Sequence, residues 1–295
     1  MSKLKAKDPS LAEPARLKMQ IFGPPGVGKT WGVLEWPACY YIDTEGGANL
    51  PHYASRLKSS GGIYLGTEDG SLDFATVIDQ CCALASEAHP YKTLVIDSIS
   101  KLFNHAVALE ADRLRNADKK NEFGADKKPA VAMMRRLIMW INRLDMNVVL
   151  IGHEKPIWGI DAKGDRSEIG KGADSWDKME YELNLNLHIV KRGPSRYAVV
   201  KKTRLTGFPE CESIPWNFAE FNARYGGNTL SAVAKVVTLA SAEQLTSIKA
   251  LVDLLHIAPE EQEKWLDKAG ASTFEELASD KAAKIISFLN SKLPK

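Results

Sequence analysis

"GPPGVGKT", residues 23–30, decides the fold. It meets every fixed position of the spacing G-x-x-x-x-G-K-[ST]. Before it stands an apolar run, "LKMQIFG" (17–23), and after it "TWGVLEW" (30–36), which reads as a helix ending before Pro37. A strand that runs into a glycine loop and out into a helix is the setting in which this spacing makes a phosphate cradle. In the loop Gly23, Pro24, Pro25, Gly26, Val27 and Gly28 the glycines would let backbone N–H groups, which the two prolines lack, wrap phosphates at the positive end of the helix. Lys29 adds a point charge for the outer phosphates, Thr30 a hydroxyl for Mg²⁺, and Trp31 opens the helix beside them. The implied ligands are ATP and Mg²⁺.

Working outward, apolar runs keep alternating with helical spacing. "CYYIDTEGG" (39–47) predicts a buried strand that ends in acids and glycines. Phe74, Val77, Ile78, Cys81 and Leu84 share a helical face, "TLVIDS" (93–98) predicts a strand, and a long helix reaches about Arg115. A polar break, "NADKKNEFGADKKP" (116–129), precedes a helix over 130–144 and a strand "NVVLIGH" (147–153). Residues 154–180 read as a long loop of the kind that carries function. "LNLNLHIV" and "RYAVVKKTR" predict a hairpin through "KRGPS". The fold class is α/β, with a mainly parallel central sheet flanked by helices.

The expected division is a flexible segment 1–15, a core 16–226, a linker 227–240 and a helical module 241–295. Ser241 and Gln244 form a capping box at the start of the module. Nine acids against seven lysines make the module mildly acidic, which suits docking or packing better than a grip on DNA. The whole chain of 295 residues carries a net charge of only +2, so any nucleic-acid site must be a local patch. Four cysteines without CxxC spacing, no signal-peptide core and no run of about 18 apolar residues point to a reduced, cytoplasmic protein with no membrane segment.

Asp97 closes an apolar strand and is the natural second anchor for Mg²⁺, but Ser98 follows it where many ATPases carry a catalytic glutamate. The other strand with acids at its carboxyl end is "YYIDTEGG". In an open parallel sheet ligands lie beyond the carboxyl ends of the strands, so Glu45 would share a crevice with Lys29 and could activate the attacking water.

"GPPGVGKT" resembles an AAA+ loop, yet "IDTEGG" with "VIDS" resembles the catalytic pair of the RecA-like ATPases, in which the glutamate follows the strand after the phosphate-loop helix. Over residues 17–205 the ordered motifs look most like the RecA-like single-strand annealing and recombination ATPases of bacteriophages. The resemblance implies an oligomer, filament or ring, with ATP between subunits, acting on single-stranded DNA in the host cytoplasm. It places His153 as the sensor of the γ-phosphate, where RecA-like recombinases carry glutamine. It assigns DNA contact to two loops, the first with Lys119, Lys120, Lys127 and Lys128. The second holds Lys155, Trp158, Lys163, Arg166, Lys171 and Trp176, basic residues with rings for stacking. In "VVKKTR" (199–204), Lys202 and Arg204 would reach a neighbour's ATP site, with Lys201 in reserve. A replicative helicase or translocase with a RecA core, and a nucleotide-gated interaction protein without DNA activity, are the alternatives. The module's partner would be a single-strand-binding protein or another replication or recombination protein.

Overall fold

The computed structural model describes residues 6, 8–11, 16–122, 124–160 and 164–293. Most of the expected flexible segment 1–15, and Lys163, lie outside them. In chain order the core elements are β1 (Lys18–Phe22), α1 (Lys29–Val33), β2 (Cys39–Asp43), α2 (Pro51–Ser59), β3 (Ile63–Leu65) and α3 (Phe74–Ser86). Next come β4 (Thr93–Asp97), α4 (Ile99–Asn116), α5 (Lys127–Arg143), β5 (Asn147–Ile160), β6 (Arg166–Asp174) and α6 (Met179–Glu182). The core closes with β7 (Leu185–Arg192), β8 (Ser195–Thr203), β9 (Ser213–Pro215), α7 (Phe218–Tyr225) and α8 (Gly227–Leu230). The C-terminal elements are α9 (Ala242–Leu254), α10 (Pro259–Ala269), a 3-10 turn Phe274–Glu276 and α11 (Ser279–Ser291).

The strands order as β3-β2-β4-β5-β1-β7-β8-β9. From β3 to β7 every pairing is parallel, while β8 and β9 add antiparallel. β1 and β4 are buried at all five positions because helices cover both faces of an interior parallel strand. Alternation along the strands divides the core. Met19, Ile21, Tyr41 and Val95 face α1, α2 and Phe221 of α7. Ile42, Leu94 and Ile96 face α3, α4 and α5. Asp73 caps α3 by accepting from Thr76 N, and Ser98 caps α4 by accepting from Lys101 N at 3.2 Å. At the foot of β1, Lys18 is buried and its ammonium donates to Leu144 O and Met146 O, both at 2.7 Å.

Three expectations change. Much of the stretch expected as a loop over 154–180 is strand: β5 runs on past the sheet to Ile160 and β6 runs antiparallel beside it, pairing His153 with Asp174 through Ile160 with Arg166. The ladder has one bulge between Ile157 and Trp158. This two-stranded arm has little apolar cover, so its sequence lacks the buried face that marks a strand. Lys127 and Lys128 belong to the first turn of α5 rather than to the loop before it. The helix expected over 30–36 ends at Val33.

The C-terminal helices have their own core, including Ile248, Val252, Leu277, Ala282 and Leu289. Glu276 ties them to α5. Its buried carboxylate accepts from Arg136 Nε at 3.0 Å and Nη2 at 2.5 Å, and from Ser272 N at 2.6 Å. Between core and module, residues 227–240 run along the core, with Leu230 buried and Arg16 donating to Thr229 O and Val233 O.

Candidate functional site

A cleft of about 510 Å³ opens where β1, β2 and β4 end and β5 leaves the sheet, lined by the phosphate loop, Glu45, Tyr53, Asp97, His153 and Glu154. Gly26 and Gly28 stand at φ +76° and +83°, a left-handed backbone that side chains resist. A Cβ on Gly28 would also meet Arg196 Nε at 2.7 Å. Trp216 Nε1 donates to Gly28 O at 3.1 Å and fixes the loop from behind. Lys29 Nζ folds back onto Gly23 O and Pro24 O at 2.7 and 2.9 Å. Burial lowers its pKa, against the pull of Asp97, Glu45 and Glu154. Trp31 is partly exposed beside Tyr53, with Arg56 stacked 4.0 Å over it, so the cleft has aromatic faces at one edge.

Asp97 sits against the other wall. Its Oδ2 accepts from Thr30 Oγ1 at 2.6 Å and from Tyr41 OH at 2.5 Å. Burial pushes the Asp97 carboxyl up to about 6, and the two hydroxyls partly offset this by stabilising the anion. Burial raises the Tyr41 phenol well above its ordinary value, so it stays a donor. A hydroxyl and a carboxylate oxygen side by side suit a hard cation such as Mg²⁺, which takes a few protein oxygens and completes its shell with phosphate oxygens and water. No cluster of three His, Cys, Asp or Glu that could cage a metal occurs among the described residues. The donor set thus fits a cation that arrives with a nucleotide. Glu45, Asp97 and Glu154 crowd round one lysine, so a bare polyphosphate would meet net negative charge.

Glu45 leaves β2 just beyond Asp43, whose Cα is level with that of Asp97 on the neighbouring strand. The Asp43 side chain accepts from the backbone N–H groups of Glu45, Gly46 and Ala48, which shapes the turn and aims Glu45 into the cleft. His153, on β5, donates from Nε2 to Glu45 Oε1 at 2.6 Å, and Ser98 Oγ lies 3.1 Å from the same nitrogen. That hydrogen bond holds the Glu45 carboxyl down at about 2 and raises His153. Ser98 therefore caps a helix and contacts the histidine that faces the glutamate.

The structure brings Gly23, Pro24, Pro25, Gly26, Gly28, Lys29, Thr30, Trp31, Glu45, Asp97 and His153 to one cleft. Val27 is buried in the core beneath the loop. Lys202 and Arg204 are not brought there within one chain. β8 runs antiparallel, so Thr203 pairs with Leu185 at the end of the sheet where β1 begins. Lys202 donates to Leu183 O, and Arg204 to Tyr181 O at 2.6 Å. Lys119, Lys120, Lys127 and Lys128 are exposed around the start of α5. On the arm Lys155 pairs with Asp177 at 3.1 Å and Lys171 with Glu168 at 2.7 Å, while Arg166 lies 5.4 Å over Trp158. Trp176 packs against the core. Ile157, Trp158, Ile160 and Ile169 make the arm's surface more apolar than basic.

Sequence reasoning passed over Tyr41, Tyr53, Glu154, Arg196 and Trp216. Arg196 reaches the phosphate loop because β7 lies beside β1 and extends past its end, so the turn into β8 stands next to Gly28. Nothing local in the sequence signals that. All four cysteines are free thiols, and no described helix is long and apolar enough to cross a membrane. A comparison with curated proteins gives no match. The sequence profile described as AAA domain matches residues 15–206, which holds the phosphate loop, Glu45, Asp97 and His153. With that match over most of its length and this cleft at the sheet's carboxyl edge, the chain belongs to the AAA domain family and has a P-loop ATPase-like core.

Proposed function

We propose that the chain is a Mg²⁺-dependent ATPase of the RecA-like kind, working as an oligomer on single-stranded DNA in annealing or strand exchange. One observation carries the catalytic part. Of the carboxylates around Lys29, Glu45 comes from the turn after the strand beside that of Asp97, while Ser98 follows Asp97 and contacts His153. The phosphate loop and Lys29 bind the triphosphate, and Thr30 with Asp97 hold the cation. When bound, Mg²⁺ supplies positive charge to the phosphate oxygens. Tyr53 and Trp31 offer a base their faces. Glu45 takes a proton from water once His153 turns from it, because a carboxylate held at about 2 is a poor base. Released, His153 has its N–H free for a phosphate oxygen.

The DNA reading is supported by Arg166 with Trp158 on the arm and by the exposed lysines 119, 120, 127 and 128. A second reading, a nucleotide-gated protein that docks another protein, is favoured by the exposed Ile157, Ile160 and Ile169 and by the lysines already paired with acids. ATP turnover measured with and without single-stranded DNA separates them. Stimulation by DNA that Trp158→Ala with Arg166→Glu removes supports the first reading. Turnover indifferent to DNA, with no DNA retained at moderate salt, supports the second.

A further inference from the structure

The C-terminal module carries a groove that the nucleotide chemistry does not use. It is a cavity of about 380 Å³ between α10 and α11, floored by Trp265, Ile285 and Phe288 and rimmed by Lys268, Lys281 and Lys284. The rings of Trp265 and Phe288 meet edge to face at 5.9 Å and 81°. Phe288 is 44% exposed. No acid lines the groove, in a module where acids outnumber lysines nine to seven. Lys284 has an exposed partner, Asp280 at 3.1 Å, but Lys268 and Lys281 have no ion pair among the described residues. Glu276, which anchors the module to α5, does not line the groove, and neither does any residue of the core, so an incoming chain can reach it.

We propose that this groove binds an acidic polypeptide segment of a partner protein through one apolar side chain. The apolar side chain lies on the floor that Trp265, Ile285 and Phe288 form, and flanking carboxylates meet the three lysines. Charge complementarity selects this occupant: apolar floor and cationic rim match a hydrophobic anchor set among acids. A nucleic acid fits less well. The edge-to-face rings leave no open pair of parallel faces for a base. A contact this small gives affinity on the order of 10–100 µM and suits a partner held at several points. The inference does not rest on the ATPase reading: a chain without turnover would still bind the segment.

The test uses the full chain and a fluorescein-labelled peptide of six aspartates ending in phenylalanine, read by fluorescence anisotropy. Controls are the same peptide ending in serine, a six-lysine peptide ending in phenylalanine, and a 20-nucleotide single strand. Binding of the aspartate–phenylalanine peptide, weakened about tenfold in Lys268→Glu/Lys281→Glu and in the serine peptide, supports the proposal. Both lysines are exposed, so the double variant keeps the fold. Equal affinity for the wild type and the double variant overturns it. So does displacement of the peptide by the single strand, or self-association of the chain that the double variant abolishes, which would make a second copy the occupant.

Discussion

His153 Nε2 lies 2.6 Å from Glu45 Oε1, joining the point where β5 leaves the sheet to the carboxyl end of β2, with β4 and its Asp97 between them. The contact keeps Glu45 ionised and at the same time weak as a base. Glu45→Gln is expected to retain ATP binding and lose turnover by about 10²–10⁴-fold, the usual worth of a general base. His153→Ala is expected to lower kcat while the Glu45 carboxyl returns toward the ordinary range. Equilibrium nucleotide binding and single-turnover hydrolysis check both. Normal turnover in Glu45→Gln would move the base elsewhere.

Asp97 predicts how metal use depends on pH. Its carboxyl stands near 6 in the protein without metal, so protons compete with Mg²⁺ below that value. The Mg²⁺ concentration giving half-maximal nucleotide binding should rise about tenfold from pH 7.5 to pH 5. The rise should vanish in Asp97→Asn, which binds Mg²⁺ poorly at every pH. Titrations of nucleotide affinity against Mg²⁺ at the two pH values decide it.

Arg196 lies against Gly28 and is exposed, with its guanidinium at the edge of the phosphate cradle. Arg196→Ala is expected to leave the melting temperature unchanged and to weaken ATP binding by about 3–10-fold, a solvent-screened charge contact. Gly28→Ala should abolish binding, since it adds a side chain at φ +83° and drives it into Arg196. Equilibrium binding of a fluorescent ATP analogue measures both, with thermal melting as the control.

Lys18 predicts a stability profile. Burial lowers it from 10.5 to about 7 in the folded chain. Between these values the unfolded chain holds a proton that the folded chain has released, so stability rises with pH, by about 1 kcal/mol per unit. Below pH 7 both forms are protonated and this contribution is flat. Above pH 9 the buried thiols of Cys39 and Cys81, both raised by burial, act in the opposite sense. Denaturant melts between pH 6.5 and 8.5 should show the rise, and Lys18→Met should remove it.

What the sequence made legible was whatever long-range packing did not decide. Strands ending in "IDTE" and "VIDS" announced themselves because interior parallel strands are apolar throughout and their chemistry sits at the tip. β3 escaped because it is three residues long and shows Ile63 and Tyr64 to solvent. α2 escaped because only Leu57 on it is buried. Residues 154–180 looked like loop because an arm paired only to itself has no covered face. Arg196 and Trp216 meet Gly28 across more than 160 positions of sequence, through strand order alone.

β5 is one strand from Asn147 to Ile160, its first part clamped between β4 and β1 and its last part free in the arm. His153 stands where the two parts join, its N–H bonded to Ser100 Oγ at 2.8 Å and that hydroxyl in turn donating to Asp174 O. The strand is therefore a lever with its fulcrum at the residue that holds Glu45. Under the proposed function, a nucleic acid or protein that loads the far end would turn the joint that sets the glutamate free, so binding at the arm and hydrolysis in the cleft would share one mechanical part.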